Sequence, residues 1–479
     1  MGFIKSVKSG IVWTFLQQFS VQSINFGVQM ILARLLLPSD FGLIAMINIF
    51  IAVGQTLSDS GMTSSLIRNK ENSEKDYGTV FITNFFVSLL LYLIIFFTAP
   101  FIAQFYDQKI LTSILRVYAL VYVISSFSVV QIARFTKELK FKDQFKYQLP
   151  SVICGACAGI IMAFLDYGVW SLVGLNIVQA LTFSLFLLIF YSWKPKLVFE
   201  KDTFKYHFNF GYKLTLSGLL DTIYLNLYKV IIGKKFSITS VGYFSQADSL
   251  RLFPINQLSS VLNKVTFPLF ASIGNDDEKL KRAYRSSVRL VLSVSAALML
   301  ILILVAKPLI LLVFGAKWLP SVPYFQILCV ASIFLPFSRY NLTILKVKGR
   351  SDLFLRVEVI KKVIGFITLF LCIPFGIYAI VWGLCITNVS FAYINGYFSG
   401  RLINHSLLSQ ILETLKIILG AILAFIVTYL LGDYFNIASF GSFLSIVTTT
   451  FIFLCLYAPI VFVFNKELIK DLSLILKRK

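Results

Sequence analysis

Ionisable side chains interrupt the long apolar runs of this sequence at Asp59, Arg116, Asp221, Lys229, Asp248, Arg251, Lys264 and Arg339, and Arg34 closes another run. If those runs cross a bilayer, each charge costs about 2.5–3.5 kcal/mol on insertion scales and needs a partner, a wet cavity or an interface. Lys229 and Arg34 stand near the ends of their runs, where long basic side chains snorkel. Asp248 and Arg251 are three residues apart, close enough to pair on one helical face. Asp59 and Asp221 have no near-sequence partner, so one must come from another helix, or they serve as ion-coupling carboxylates. Gln17, Gln18, Gln22, Asn25 and Gln29 recur at spacings near three and four, giving one helix a polar stripe. Such a stripe either hydrogen-bonds to other helices or lines a hydrophilic cavity that sugar hydroxyls could enter.

Other chemistries find little support. All six cysteines lie in apolar stretches, which suggests neither a disulfide scaffold nor a zinc site. Cys154-Gly-Ala-Cys157 has redox-motif spacing but no strand pattern around it, and reads as small-residue helix packing. His207 and His405 read as solvated loop residues near span ends. No catalytic constellation, no metal-ligand set and no phosphate-cradling glycine motif is present, which argues against an ATP-driven pump. No cofactor is implied. Energy would come from a proton or sodium gradient, from membrane potential or from the substrate's own gradient. Met1-Gly-Phe-Ile-Lys-Ser6 matches a myristoylation pattern by coincidence, since one acyl chain adds nothing to many spans. Lys5 and Lys8 precede a run with no small-residue cleavage site, so the first segment is expected to be retained.

The elements that must position these residues follow from composition. Of 479 residues, 58% are hydrophobic and 14% charged, with mean hydropathy +0.82; soluble domains run near 45–50% apolar and about 25% charged. An ordinary cytosolic enzyme is excluded. Apolar runs near 10–36, 41–66, 79–105, 112–133, 149–165, 169–191, 210–233, 241–270, 288–314, 321–345, 355–374, 377–399, 411–432 and 439–464 predict an all-α integral membrane protein of about fourteen transmembrane helices. The formal net charge is +22, and every second gap carries the Lys and Arg. Basic clusters at 68–78, 134–148, 194–209 and 271–287 would be cytoplasmic, with both termini on that side. The excess charge is therefore a topology signal, and no nucleic-acid partner is expected. No gap is long enough for a soluble domain, so function must lie within the membrane.

A repeat sets the organisation. Gly10 opens a span that ends in Arg34-Leu-Leu-Leu-Pro-Ser-Asp-Phe-Gly42, and Gly211 opens one that ends in Gly233-Lys-Lys-Phe-Ser-Ile-Thr-Ser-Val-Gly242. An offset of six spans predicts two parallel six-helix lobes around a central cavity, a geometry suited to alternating access. The expected domains are a lobe over 1–193, a basic cytoplasmic linker over 194–209, a second lobe over 210–399, and two extra helices with a basic tail over 400–479.

Ala33-Arg-Leu-Leu-Leu-Pro-Ser-Asp-Phe-Gly-Leu-Ile-Ala-Met46, Asp59-Ser-Gly-Met-Thr-Ser-Ser-Leu-Ile-Arg68, Val241-Gly-Tyr-Phe-Ser-Gln-Ala247 and the 261–270 run with Pro268 together resemble the bacterial polysaccharide exporters. These are the lipopolysaccharide and teichuronic acid flippases of the multidrug/oligosaccharidyl-lipid/polysaccharide superfamily. The resemblance implies movement of an undecaprenyl-pyrophosphate-linked oligosaccharide across the bacterial cytoplasmic (inner) membrane for cell-surface polysaccharide synthesis. It also implies a cationic cavity for the pyrophosphate. Charge economy then assigns substrate binding to Arg251, Lys264, Arg339 and Lys229. Asp59 and Asp221 become their partners or ion-coupling carboxylates, and Gln18, Gln22, Asn25 and Gln29 the polar cavity stripe. Expected partners are the lipid-linked oligosaccharide, membrane lipids, a polysaccharide polymerase and other glycan-assembly proteins. A drug/cation antiporter of the same superfamily would favour an acidic cavity, and a membrane-embedded glycan polymerase or ligase would need a sizeable outer loop.

Overall fold

The computed structural model describes residues 2–274 and 276–464, with side chains described except at 2–12, 14, 15, 260–265, 267, 268, 438 and 462–464. The side chains of Lys5, Lys8 and Lys264, and the basic tail from Lys466 to Lys479, lie outside what is described. Among the described residues there are helices and no strands, as expected when every backbone group must be satisfied within the membrane.

The chain divides into two compact units, 1–242 and 243–479. The first holds α1 (Gly2–Leu35), α2 (Pro38–Asp59), α3 (Met62–Arg68), α4 (Glu74–Phe105), α5 (Ile110–Tyr118), α6 (Leu120–Lys137), α7 (Phe141–Phe164), α8 (Val169–Phe190), α9 (Lys201–Lys235) and the start of α10 (Ile238–Ser272). The second holds the rest of α10, then α11 (Asp277–Leu304), α12 (Ala306–Val313), α13 (Val322–Ser332), α14 (Leu335–Val347), α15 (Ser351–Cys372), α16 (Ile377–Leu402), α17 (Leu407–Tyr434) and α18 (Ser442–Phe464). Ten helical segments are long and apolar enough to cross a membrane. Four more helices, α1, α9, α10 and α15, have the length but are not among those ten; α15, for one, carries Arg356, Glu358, Lys361 and Lys362. Ten and four are compatible with the fourteen crossings expected.

Several boundaries differ from those read in the sequence, and each has a local cause. The run 41–66 is broken at Ser60 and Gly61, both with positive φ (47° and 65°). A Cβ on Gly61 would strike the carbonyl of Gly211, and one on Gly211 would stand 2.5 Å from the carbonyl oxygen of Ser60. Helix α9 thus crosses the break where only hydrogen fits. The basic stretch 134–148 is mostly helix, because α6 runs to Lys137 and α7 begins at Phe141. Helix α4 starts at Glu74 behind a capping box in which Ser73 Oγ accepts from the Asp76 amide and Asp76 accepts from the Ser73 amide. The second half of 194–209 forms the first turns of α9.

Within the first unit, α7 lies along α8 through Gly155 and Gly159, and a Cβ on Gly155 would sit 2.8 Å from the Leu175 carbonyl oxygen. That is small-residue packing at four-residue spacing, and Cys154 and Cys157 flank it as unpaired thiols. The turn at Gly42 recurs at Gly242: α1 and α9 end at Leu35 and Lys235, and α2 and α10 begin at Pro38 and Ile238. A Cβ on Gly42 would meet the Ile238 carbonyl, and one on Gly242 the Pro38 carbonyl. In the second unit α17 and α18 pack on α11; Tyr457 donates to the Ser293 carbonyl at 3.0 Å.

Candidate substrate-binding sites

Two polar cavities open in the first unit. The larger glutamine content belongs to one of about 400 Å³ between α1, α6 and α7, where Gln17, Gln18 and Gln22 face Thr136, Gln144 and Gln148. The α1 stripe is placed there by its neighbours on the same helix: Val28 and Leu32, with Ile24 and with Leu36 just past the helix end, pack on Ala156, Ala163 and Ile160. That apolar seam turns the adjacent glutamines along the α7 flank. Gln17 donates to Gln148 across the two helices. Asn25 is exposed and, like Gln29, is not among the cavity-lining residues.

The other cavity, also about 400 Å³, lies between α2, α3 and α9, lined by Gln55, Thr56, Asp59, Ser64, Thr215 and Gly218 among others. Asp59 accepts from the Thr63 hydroxyl one turn on. Further along the same seam Thr56 meets Thr222 at 3.2 Å, and Asn48 donates to Asn226 at 3.2 Å. Asp221 is exposed on α9 and Lys229 partly buried there.

The family of polysaccharide biosynthesis proteins matches residues 31–323, more than half of the chain. The chain belongs to this family. It is 23% identical to the teichuronic acid biosynthesis protein TuaB of Bacillus subtilis (strain 168), over 73% of each chain. It is 24% identical to the lipopolysaccharide biosynthesis protein WzxC of Escherichia coli (strain K12), over 74% of this chain and 72% of that one. Its fold is that of the lipid II flippase MurJ in an inward closed conformation, with TM-score 0.77 at 15% identity, covering 96% of this chain and all of the other. The resemblance drawn from residues 33–46, 59–68 and 241–247 holds.

The second unit of this polysaccharide biosynthesis protein places the remaining sequence candidates. Arg251 is only 6% exposed. Its Nε and Nη2 donate to Asp248 Oδ1 at 3.0 and 2.7 Å, and its Nη1 donates to Ser332 Oγ at 2.7 Å. Arg339, half-buried on α14, donates through Nη2 to Asn256 Oδ1 at 3.1 Å. Lys264 falls on α10 with its side chain outside the described residues. In the first unit, Arg116 donates to the Phe96 carbonyl and lies 4.3 Å from the Phe96 ring centroid, a cation–π contact.

Both histidines correct the sequence reading: neither is solvated. His207 is fully buried, with Nδ1 2.8 Å from Ser65 Oγ and Nε2 2.9 Å from Asp76 Oδ1. A carboxylate only accepts, so Nε2 carries the hydrogen and, in the neutral ring, Nδ1 accepts from the serine hydroxyl. Ser65 is itself buried in α3, which makes this Ser-His-Asp chain a latch between α3, α4 and α9. His405 is also buried, 3.9 Å from Glu413 Oε2. Glu413 in turn binds Arg285 Nη2 at 2.6 Å and Arg289 Nε at 3.6 Å. This network of α11 and α17 was invisible in the sequence because Arg285 and Arg289 read as topology charges and Glu413 lies 128 residues from Arg285.

Proposed function

We propose that the protein is a flippase that carries an undecaprenyl-pyrophosphate-linked oligosaccharide from the cytoplasmic to the outer leaflet of the bacterial inner membrane, working by alternating access. The observation that carries this reading is the polarity of α1, α9, α10 and α15. They have membrane length and carry polar or charged side chains within it, Gln18 and Gln22 on α1, Asp221 and Asn226 on α9, Asp248 and Arg251 on α10 and Lys361 on α15, in a chain of a polysaccharide biosynthesis family. A hydrophilic headgroup needs such an interior, because polar groups in hydrocarbon are costly without partners. The relatives named for teichuronic acid and lipopolysaccharide biosynthesis support the substrate class.

Among the four cations read from the sequence, Arg339 is the best pyrophosphate ligand. Most of its five N–H donors remain after the contact to Asn256. Lys229 and Lys264 stand next, and Arg251 is committed to Asp248 and Ser332. Asp59, in its cavity, is the ion-coupling carboxylate for a proton or sodium gradient, with Asp221 the second candidate. Both termini face the cytoplasm, and a polysaccharide polymerase and other assembly proteins take the product.

Deleting the protein from a producing strain tests the reading. Surface glycan should disappear, and the lipid-linked oligosaccharide should accumulate where a membrane-impermeant lectin reaches it only after permeabilisation. Intact surface glycan with increased ethidium retention would point to a drug/cation antiporter instead. Repeating the assay in Asp59→Asn should remove its dependence on the ion gradient.

A further inference from the structure

The α1/α6/α7 cavity is lined by the primary amides of Gln17, Gln18, Gln22, Gln144 and Gln148 together with the hydroxyl of Thr136 and the apolar Val21 and Phe141, and among the described residues no ionisable side chain lines it. That chemistry selects among ligands. A pyrophosphate or a metal ion would require charged partners, and an organic cation a carboxylate or an aromatic cage. Primary amides offer two donors and one acceptor each, which matches sugar hydroxyls, since these both donate and accept. The volume of about 400 Å³ lies within the usual range for small-molecule sites, about 300–1,000 Å³.

The amides are also partly arranged in advance. The Gln17–Gln148 hydrogen bond joins α1 to α7 and leaves the Gln17 carbonyl oxygen and the Gln148 amino group for a ligand. The Gln144 side chain is half-buried in the cavity wall and makes no hydrogen bond among the described residues. Thr136 Oγ1 donates to the Ile132 carbonyl at 2.9 Å, so its lone pairs stay available. One helical turn before Gln17, Trp13 packs against Phe145, with ring centroids 6.2 Å apart. That pair, with Lys142 Nζ 5.4 Å from the Trp13 ring centroid, lies outside the lining; within it Phe141 and Val21 supply apolar surface beside the amides, as in sites that pair an aromatic ring with a few placed polar groups.

We propose that this cavity is a saccharide subsite whose glutamine amides take the sugar hydroxyls of the lipid-linked substrate. The proposal rests on the flippase reading and adds to it. The pyrophosphate is held elsewhere by cations, while the neutral amide cavity reads the glycan and discriminates among substrates that share one lipid carrier.

The test uses the purified full chain in nanodiscs and two kinds of probe: bare undecaprenyl pyrophosphate, and the same lipid bearing one glucose, galactose or N-acetylglucosamine residue. At least one sugar-bearing lipid should bind more tightly than the bare one. Gln144→Leu removes an amide that has no hydrogen-bond partner among the described residues, and Gln148→Leu removes the amide that accepts from Gln17. Together they should erase the sugar-dependent increment, a loss of about tenfold for two hydrogen bonds. Affinity for the bare lipid reports that each variant is folded. Gln144→Leu alone, which breaks no hydrogen bond among the described residues, serves if the double variant does not fold, with about a threefold loss expected. An increment that survives these substitutions, or wild-type protein that binds bare and sugar-bearing lipids equally, overturns the subsite and leaves the flippase reading standing. Failure to bind either lipid overturns both.

Discussion

Arg251 spends its Nε, Nη1 and Nη2 on Asp248 and Ser332, whereas Arg339 reaches only the amide oxygen of Asn256 among the described residues. Removing one partner of a buried ion pair strands the other, at about 3–5 kcal/mol when both are fully buried. Here the side chains are 7% and 16% exposed, so about 2–4 kcal/mol is expected for Arg251→Gln. Thermal unfolding in detergent should show Arg251→Gln destabilised and Arg339→Gln near wild type, with Arg251→Lys intermediate because one ammonium cannot replace the fork. Surface glycan should behave oppositely for Arg339→Gln: normal protein levels with export lost. If Arg251→Gln unfolds like wild type, the pair is not structural and Arg251 returns as a substrate ligand. The i,i+3 spacing of Asp248 and Arg251 was legible in sequence. The contact to Ser332, 81 residues away, was not, and that contact uses the nitrogen that Asp248 leaves over.

At the scale of elements, the turn between α16 and α17 is held by a buried histidine rather than a solvated one. Burial pushes the His405 imidazole below its ordinary pKa; Glu413 opposes this, and Arg285, Lys281 and Arg289 reinforce it. The folded protein therefore resists a proton that the unfolded chain accepts near pH 6.5. Between the folded and unfolded values the unfolded state binds more protons, so stability rises with pH across that interval. On acidification the loss begins near pH 6.5 and levels off below the folded value. A series of thermal unfolding midpoints from pH 8 to pH 5 should show this slope in the wild type and a flatter one in His405→Gln. Equal slopes would remove His405 from the account. Sequence reasoning missed the burial because a His beside Asn404 at a span end looks like a loop. The same limit hid half of the amide cavity: the α1 stripe shows its period, but Gln144 and Gln148 were read as part of a basic loop before α7 was seen to begin at Phe141.

For the whole molecule, the apolar runs were the legible part, because a membrane crossing needs about 20 apolar residues whatever its neighbours are. The four helices outside the ten most apolar segments are α1, α9, α10 and α15, and most of the polar side chains singled out in the sequence lie on them. Their crossings were read from shorter or interrupted apolar runs, with the alternation of basic gaps as the check on the count. That inference is testable, since losing any one of them would reverse every later loop. If both termini are cytoplasmic, cysteines at Lys70 and Lys142, both exposed, should stay unlabelled by a membrane-impermeant maleimide in intact spheroplasts and react after permeabilisation. A cysteine at Lys109, exposed between α4 and α5, should react in intact cells. Lys70 precedes α4 and Lys142 opens α7, so the three sites bracket α4 and the α5–α6 segment. Labelling of Lys142→Cys from outside, with Lys70→Cys protected, would mean that α4 or the α5–α6 segment does not cross, and the basic 134–148 stretch would lie on the wrong side for the positive-inside bias. Protection at both, with Lys109→Cys open, fixes the orientation of the first unit, and with it the side from which a glycan would reach the glutamine cavity.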